Sequence, residues 1–211
     1  MSAEKATVCV VDDDASMRKA LARTIQLEDL NVKTFASARE FLDQGLPEGP
    51  GCLVLDVRMP GLSGLDLQAE LNSRNIRIPI VFVTGQGDIP VTVKAMKGGA
   101  VDFLTKPFKT SHLIEAVREA LKKDERLRAS REEEAEVRRC LQTLTPRERE
   151  VLDLVVKGLM NKEIAAQLGA SERTIKIHRG RVMRKMQVQS VADLVRAFEL
   201  VKAGGGSQPT A

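Results

Sequence analysis

Val8-Cys-Val-Val11 running into Asp12-Asp13, Leu53-Val-Leu55 into Asp56, and Ile80-Val-Phe-Val83 into Thr84 decide how this chain folds. A fourth, weaker run, Asp102-Phe-Leu-Thr105, delivers Lys106. Short runs of β-branched and apolar residues, parted by stretches with helical periodicity, predict buried parallel strands joined by crossover helices. In an open parallel sheet the ligand crevice lies beyond the carboxyl ends of the strands. Three carboxylates, a hydroxyl and an ammonium from distant parts of the sequence are therefore expected to converge there. Carboxylates so gathered repel one another, and are tolerated where a hard cation or a lysine neutralises them.

Outward from these runs, the stretch from residue 6 to 121 alternates strand and helix five times. Strands are expected near 7–12, 31–35, 51–56, 79–84 and 101–105, and helices near 15–28, 37–44, 64–74, 88–97 and 109–121. Gly and Pro mark the joints, among them Gly45, Pro60, Gly61, Gly64, Gly85, Gly87 and Gly98. Asp14 fits a helix cap better than a metal ligand, and Asp66 and Asp102 read as surface residues. From Lys122 to Arg139 the chain is an almost uninterrupted mixture of charges, which predicts an exposed helix or a mobile spacer. A dimerising coiled coil is the alternative, although its apolar seam is poor.

After Thr143 the pattern is purely helical. Thr145 and Pro146, with early acids, open one helix; Gly158 ends it. A second runs from Asn161 to Leu168 and stops at Gly169, Ser171 caps a third that reaches about Met186, and Ser190 caps a fourth. In the third, Ile175, Val182 and Met186 are spaced to pack inward, while Arg173, Lys176, Arg179, Arg181, Arg184 and Lys185 surround the outer surface. Such a helix suits the major groove of DNA, with cations on phosphates and a few side chains on base edges. The rival readings are a solvated basic face, or a module for RNA or protein. The tail from Gly204 to Ala211, rich in Gly, Ser, Pro and Thr, is expected to be disordered.

At 211 residues the chain accommodates two domains. Apolar residues at 43% and charged residues at 29% are those of a globular protein, and no apolar run approaches the roughly 20 residues that span a bilayer. The first residues lack the layout of a secretory signal, so a cytoplasmic protein is expected. Cys9, Cys52 and Cys140 have no metal-ligand spacing and read as reduced and structural. With no Trp or Tyr, the chain lacks much of the stacking repertoire of a single-strand nucleic-acid binder. The net charge of +4 is uneven: residues 143–203 hold 12 Lys and Arg against 7 Asp and Glu, leaving 21 against 22 elsewhere.

Val10-Val-Asp-Asp-Asp-Ala-Ser16, Leu53-Val-Leu-Asp-Val-Arg-Met-Pro-Gly61, Phe82-Val-Thr-Gly85 and Leu104-Thr-Lys-Pro-Phe108 resemble the receiver domain of bacterial two-component response regulators. Leu144-Thr-Pro-Arg-Glu-Arg-Glu-Val-Leu152, Asn161-Lys-Glu-Ile-Ala-Ala-Gln-Leu168 and the run from Ser171 to Met186 resemble the LuxR-type helix-turn-helix. The whole is similar to the NarL/FixJ family, and Gly87-Asp-Ile-Pro90 and Ala95-Met-Lys-Gly-Gly-Ala-Val-Asp-Phe103 are closer to its FixJ-type members. The resemblance implies a doubly wound, five-stranded parallel sheet of the CheY-like kind over 1–121, a charged helical linker over 122–142, an all-α DNA-binding domain over 143–203 and the tail over 204–211.

It also implies roles. Asp56 is the phosphoacceptor; Asp12, Asp13 and Asp56, with the backbone carbonyl of Arg58, form a Mg²⁺ site; Thr84 is the switch hydroxyl, Phe103 the rotating aromatic, and Lys106 binds the phosphoryl group. A cis peptide is implied at Lys106-Pro107. The dimer face falls on Val91, Thr92, Lys94 and Ala95. Lys176, Ile177 and Gly180 face bases, and Thr174, Arg179, Arg181 and Arg184 the DNA backbone; His178 is either a phosphate contact or a packing residue. Implied partners are a sensor histidine kinase, promoter DNA, a second copy of the chain after phosphorylation, and RNA polymerase, with transcription activated. On this reading the chain takes up a phosphoryl group without being a turnover enzyme. Mg²⁺-dependent phosphatases with an aspartyl phosphate are the rival class, but their acid pair flanks the nucleophile within one motif.

Overall fold

The computed structural model describes residues 5–44, 46–47, 49–85 and 89–204. Gly45, Gly87, Asp88 and the tail beyond Gly204 lie outside the described residues. The chain divides into two compact units between Arg128 and Ala129.

In the first unit, β1 (Thr7–Val11), β2 (Asn31–Phe35), β3 (Gly51–Asp56), β4 (Ile80–Thr84) and β5 (Asp102–Thr105) form one parallel sheet in the order β2-β1-β3-β4-β5. Helices α1 (Ala15–Gln26), α2 (Ala38–Gln44), α3 (Gly64–Ser73) and α4 (Ile89–Lys97) and the first part of α5 (Thr110–Gln142) cover it. The central strands are apolar without interruption because both faces are buried, and the alternation of side chains sends successive residues to opposite sides. Cys9, Val11, Leu53, Leu55, Ile80 and Phe82 meet α2, α3 and α4 in one core. Val8, Val10, Cys52, Val54, Val81 and Val83 meet α1 and α5 in the other. Asp14 caps α1, accepting from the backbone N–H groups of Ser16 at 2.8 Å and Met17 at 3.3 Å.

Three features depart from the sequence reading. First, α5 runs without a break from Thr110 to Gln142, joining the helix expected to end near residue 121 to the charged helical linker expected over 122–142. Second, the buried stripe of α5 passes through Leu113, Val117 and Ala120 to Asp124, only 3% exposed. Its Oδ2 accepts from Gly51 N–H at 2.9 Å and Arg128 Nε at 2.7 Å, and Arg128 Nη2 donates to the Gly49 carbonyl. A buried charge is tolerated only when so paired, and this clamp holds the start of the charged stretch to the amino end of β3. Third, Ala95 cannot belong to a dimer face: it is fully buried in the α2–α4 core, and its carbonyl accepts from Gln68 Nε2 at 3.0 Å. The exposed apolar residues of α4 are Ile89, Val93 and Met96, while Val91 and Thr92 are half-buried and Lys94 is exposed.

The second unit contains the end of α5, then α6 (Pro146–Val156), α7 (Asn161–Leu168), α8 (Glu172–Lys185) and α9 (Val191–Gly204). Cys140, Val151, Leu152, Val155, Ile164, Ile175, Val182 and Leu194 make its core. Thr145 and Glu148 close a reciprocal capping box at the start of α6. Gly169 ends α7 with φ of +60°, the left-handed conformation in which glycine avoids the Cβ penalty. Among the described residues no helix is long and apolar enough to cross a membrane.

Candidate phosphate pocket and nucleic-acid interface

The strand order brings the loaded residues together. Between β1 and β3 the chain reverses its direction of growth, and the register that pairs Val11 with Leu55 sets Asp12 beside Asp56. Lys106, just past β5, reaches back across the sheet edge: Nζ lies 3.0 Å from Asp12 Oδ2 and 3.1 Å from Asp56 Oδ1. The other oxygen of each acid accepts a backbone N–H, Asp14 to Asp12 at 2.8 Å and Arg58 to Asp56 at 2.7 Å. Asp12, Asp56 and Thr84 are 2%, 7% and 1% exposed, whereas Asp13 is open to solvent.

Burial pushes the Asp56 carboxyl above its ordinary value, and the Lys106 hydrogen bond and charge only partly oppose this. For Lys106 burial acts downward, but its hydrogen bonds to Asp12 and Asp56 outweigh it and hold the ammonium above its ordinary value. The pocket is thus one cation shared by two buried anions, a neutralisation that is incomplete by one charge.

Thr84 is joined to this group through the backbone, its carbonyl accepting from Lys106 N–H at 2.7 Å. Phe103 is half-buried and its ring lies 6.2 Å from that of Phe82. The Lys106-Pro107 peptide is cis. Gly64 is more than a joint between elements: a Cβ there would stand 2.2 Å from the carbonyl oxygen of Asp56. The backbone of α3 therefore packs directly on the residue at the centre of the pocket. The thiols of Cys9 and Cys52 are raised by burial, Cys9 to about 11, which leaves them protonated and poorly nucleophilic.

The donor set has the chemistry of a Mg²⁺ site, since that ion is held by one or two carboxylates together with waters and phosphate oxygens. Among the described residues no group of three or more His, Cys, Asp or Glu side chains is arranged to hold a metal ion, so the structure does not draw exposed Asp13 in with Asp12 and Asp56. The two buried carboxylates, Asp12 and Asp56, fit an ion that takes most of its shell from solvent and substrate.

On α8, Ile175 and Val182 are buried, and Arg173, Thr174, Lys176, Ile177, Gly180, Arg181 and Arg184 face solvent. The basic face is smaller than the sequence predicted. Lys185 turns inward, donating to Glu148 Oε2 at 2.7 Å and the Thr143 carbonyl at 2.9 Å. Its ammonium, aided by Thr145 N–H, holds the Glu148 carboxyl down at about 2. Arg179 is half-buried and donates to Asn161 Oδ1 at 2.7 Å. His178 is half-buried with Nδ1 enclosed and no hydrogen-bond partner among the described residues, which favours its packing role over a phosphate contact through that atom.

The chain matches the response regulator receiver domain over residues 8–118 and the luxR family of bacterial regulatory proteins over residues 142–198. It is 53% identical to nodulation protein W of Bradyrhizobium diazoefficiens, over 92% of this chain and 86% of that protein. It is 45% identical to the transcriptional regulatory protein FixJ of Azorhizobium caulinodans, over 92% of both. Among solved structures, the response regulator StyR superposes with a TM-score of 0.81 at 47% identity, over 92% of this chain and 98% of that one.

Proposed function

Because the chain belongs to the NarL/FixJ family of two-component response regulators, with a receiver and a LuxR-type DNA-binding domain, we propose that Asp56 takes a phosphoryl group from a sensor histidine kinase and that α8 then reads promoter DNA. The observation that carries this is the bridge of Lys106 between Asp12 and Asp56, three residues at the carboxyl ends of three strands. An Asp56 oxygen attacks phosphorus in line; the new P–O bond forms as the P–N bond to the kinase imidazole breaks, and the imidazole leaves with the electron pair. Two anions meet in that step, so charge must be cancelled at the pocket.

Lys106 supplies one fixed cation at the oxygen of Asp56 that it already contacts. Asp12, Asp13, Asp56 and the carbonyl of Arg58 would hold Mg²⁺, which when bound neutralises further negative charge. Arg58 N–H orients Asp56 through its second oxygen. Thr84 and Phe103 are the switch residues, and their places beside Lys106 and Phe82 support this. The acceptor is the protein itself, so one phosphoryl group is gained per chain and exogenous phosphoesters are not turned over. Dimerisation then uses Val91, Thr92 and Lys94, supported by the exposed Val93 and Met96 on the same helix. A paired α8 doubles the phosphate contacts and makes binding steeply salt-dependent. Thr174, Lys176, Ile177, Gly180, Arg181 and Arg184 meet the DNA, with His178 and Arg179 at the margin. The protein acts in the cytoplasm and activates transcription through RNA polymerase.

The test is the mass and oligomeric state of the full chain with Mg²⁺ before and after acetyl phosphate, beside Asp56→Asn. One phosphoryl group gained together with dimer formation, both absent in the variant, is expected. Uptake at another residue, or dimerisation of the variant on donor addition, would overturn the reading.

A further inference from the structure

Ile177 is an apolar side chain set within a cationic surface. Buried Ile175 and Val182 mark the face of α8 turned into the unit. At about 100° per residue, Ile177 lies roughly opposite that face, and it is 50% exposed. Its neighbours one turn away are Arg173, Thr174, Gly180 and Arg181, with Arg184 two turns on, all exposed. A single exposed apolar residue means little by itself. Here a glycine stands beside it, in the interior of a helix where glycine is disfavoured, and a Cβ built on Gly180 would meet nothing within 4 Å. The surface is therefore a branched apolar knob next to a shallow hollow, framed by three arginines.

Arginines on phosphates seat such a face in the major groove and fix its depth. Inside that groove the base edges present hydrogen-bonding groups, and the largest apolar group among them is the C5 methyl of thymine. A side chain with neither donor nor acceptor gains its largest contact from that methyl, and the hollow at Gly180 lets the helix backbone come close enough to reach it. Resting on the DNA-binding reading above, we infer that Ile177, with the space left by Gly180, recognises a pyrimidine C5 methyl and so selects thymine at one position of each half-site. 5-Methylcytosine carries the same group and is the second source of the contact.

Random-sequence duplexes are selected on the full chain with Mg²⁺ and acetyl phosphate, wild type and Ile177→Ala in parallel. Wild type should enrich one thymine that the variant leaves relaxed. Replacing that thymine by deoxyuridine removes the methyl and no hydrogen-bonding group. Wild type should then bind about fourfold more weakly, the worth of one buried methyl, while Ile177→Ala is unchanged and Ile177→Val keeps most of the dependence. Cytosine placed there should gain by a similar factor on C5 methylation. An equal loss in wild type and Ile177→Ala, or a relaxed position that is not thymine, overturns the inference and leaves DNA binding intact. Failure to enrich any duplex overturns the DNA-binding reading and this inference together.

Discussion

The pocket at the sheet edge and the outer face of α8 gather charge in opposite ways. In the pocket the buried charges are already engaged: Lys106 spans Asp12 and Asp56, and backbone N–H groups take the remaining oxygens. On α8, Lys176, Arg181 and Arg184 face water. A preorganised group can meet developing charge without rearranging, whereas solvated cations exchange water and counterions for phosphates one at a time. The contrast teaches that the first site should respond to substitution nearly all or none, and the second by degrees.

The largest effect expected is at Lys106. Lys106→Ala leaves two buried carboxylates with no ammonium between them; the fixed cation is lost, and phosphorylation by acetyl phosphate should slow by about 10²-fold or more. In Mg²⁺-free buffer urea unfolding should show a loss of about 1–3 kcal/mol, less than the 3–5 typical of a broken buried pair because the lysine is 20% exposed. A rate within twofold of wild type would erase the contrast. Lys176→Ala should weaken binding to a selected duplex by roughly tenfold and to random duplex by less. Equal losses in a titration against both would make Lys176 a phosphate contact.

Lys185→Ala sharpens the comparison from inside the second unit, where one cation is engaged as tightly as Lys106. The expected loss in a melt at pH 7 is about 1 kcal/mol, since Lys185 is 35% exposed. Glu148 is held below its ordinary value of 4.5, so its contribution is complete above that pH and is lost as pH falls from 4.5 toward about 2. Wild type should lose stability over that window and Lys185→Ala should lose less. Parallel curves for the two proteins would show that the pair is not coupled.

Much of this was legible in the sequence, for reasons that differ by region. Buried strands announce themselves because both faces must be apolar, and Asp56, Thr84 and Lys106 each stand where such a run ends. The stripe of Ile175, Val182 and Met186 is legible because one helix carries its own periodicity. Asp124, Glu148 and Lys185 were not, because a charge on a buried stripe looks the same in sequence as one in solvent. Counting four residues on from Ala120 would have placed Asp124 on the inner face of α5, the one signal available. Ala95 was misplaced for the converse reason: a small residue near exposed neighbours gives no sign of the side it faces.

The sequence by itself determined the strands, most of the helices and the kinds of groups available, because these follow from local periodicity, caps and chemistry. Only the tertiary structure decided which charges meet. The sheet order and register put Asp12 beside Asp56 and within reach of Lys106, and packing turned Lys185 toward Glu148 and away from the basic face. The physical reason is that an ion pair depends on distances of about 3 Å between groups remote in the chain, and those distances exist only once the strands and helices have packed.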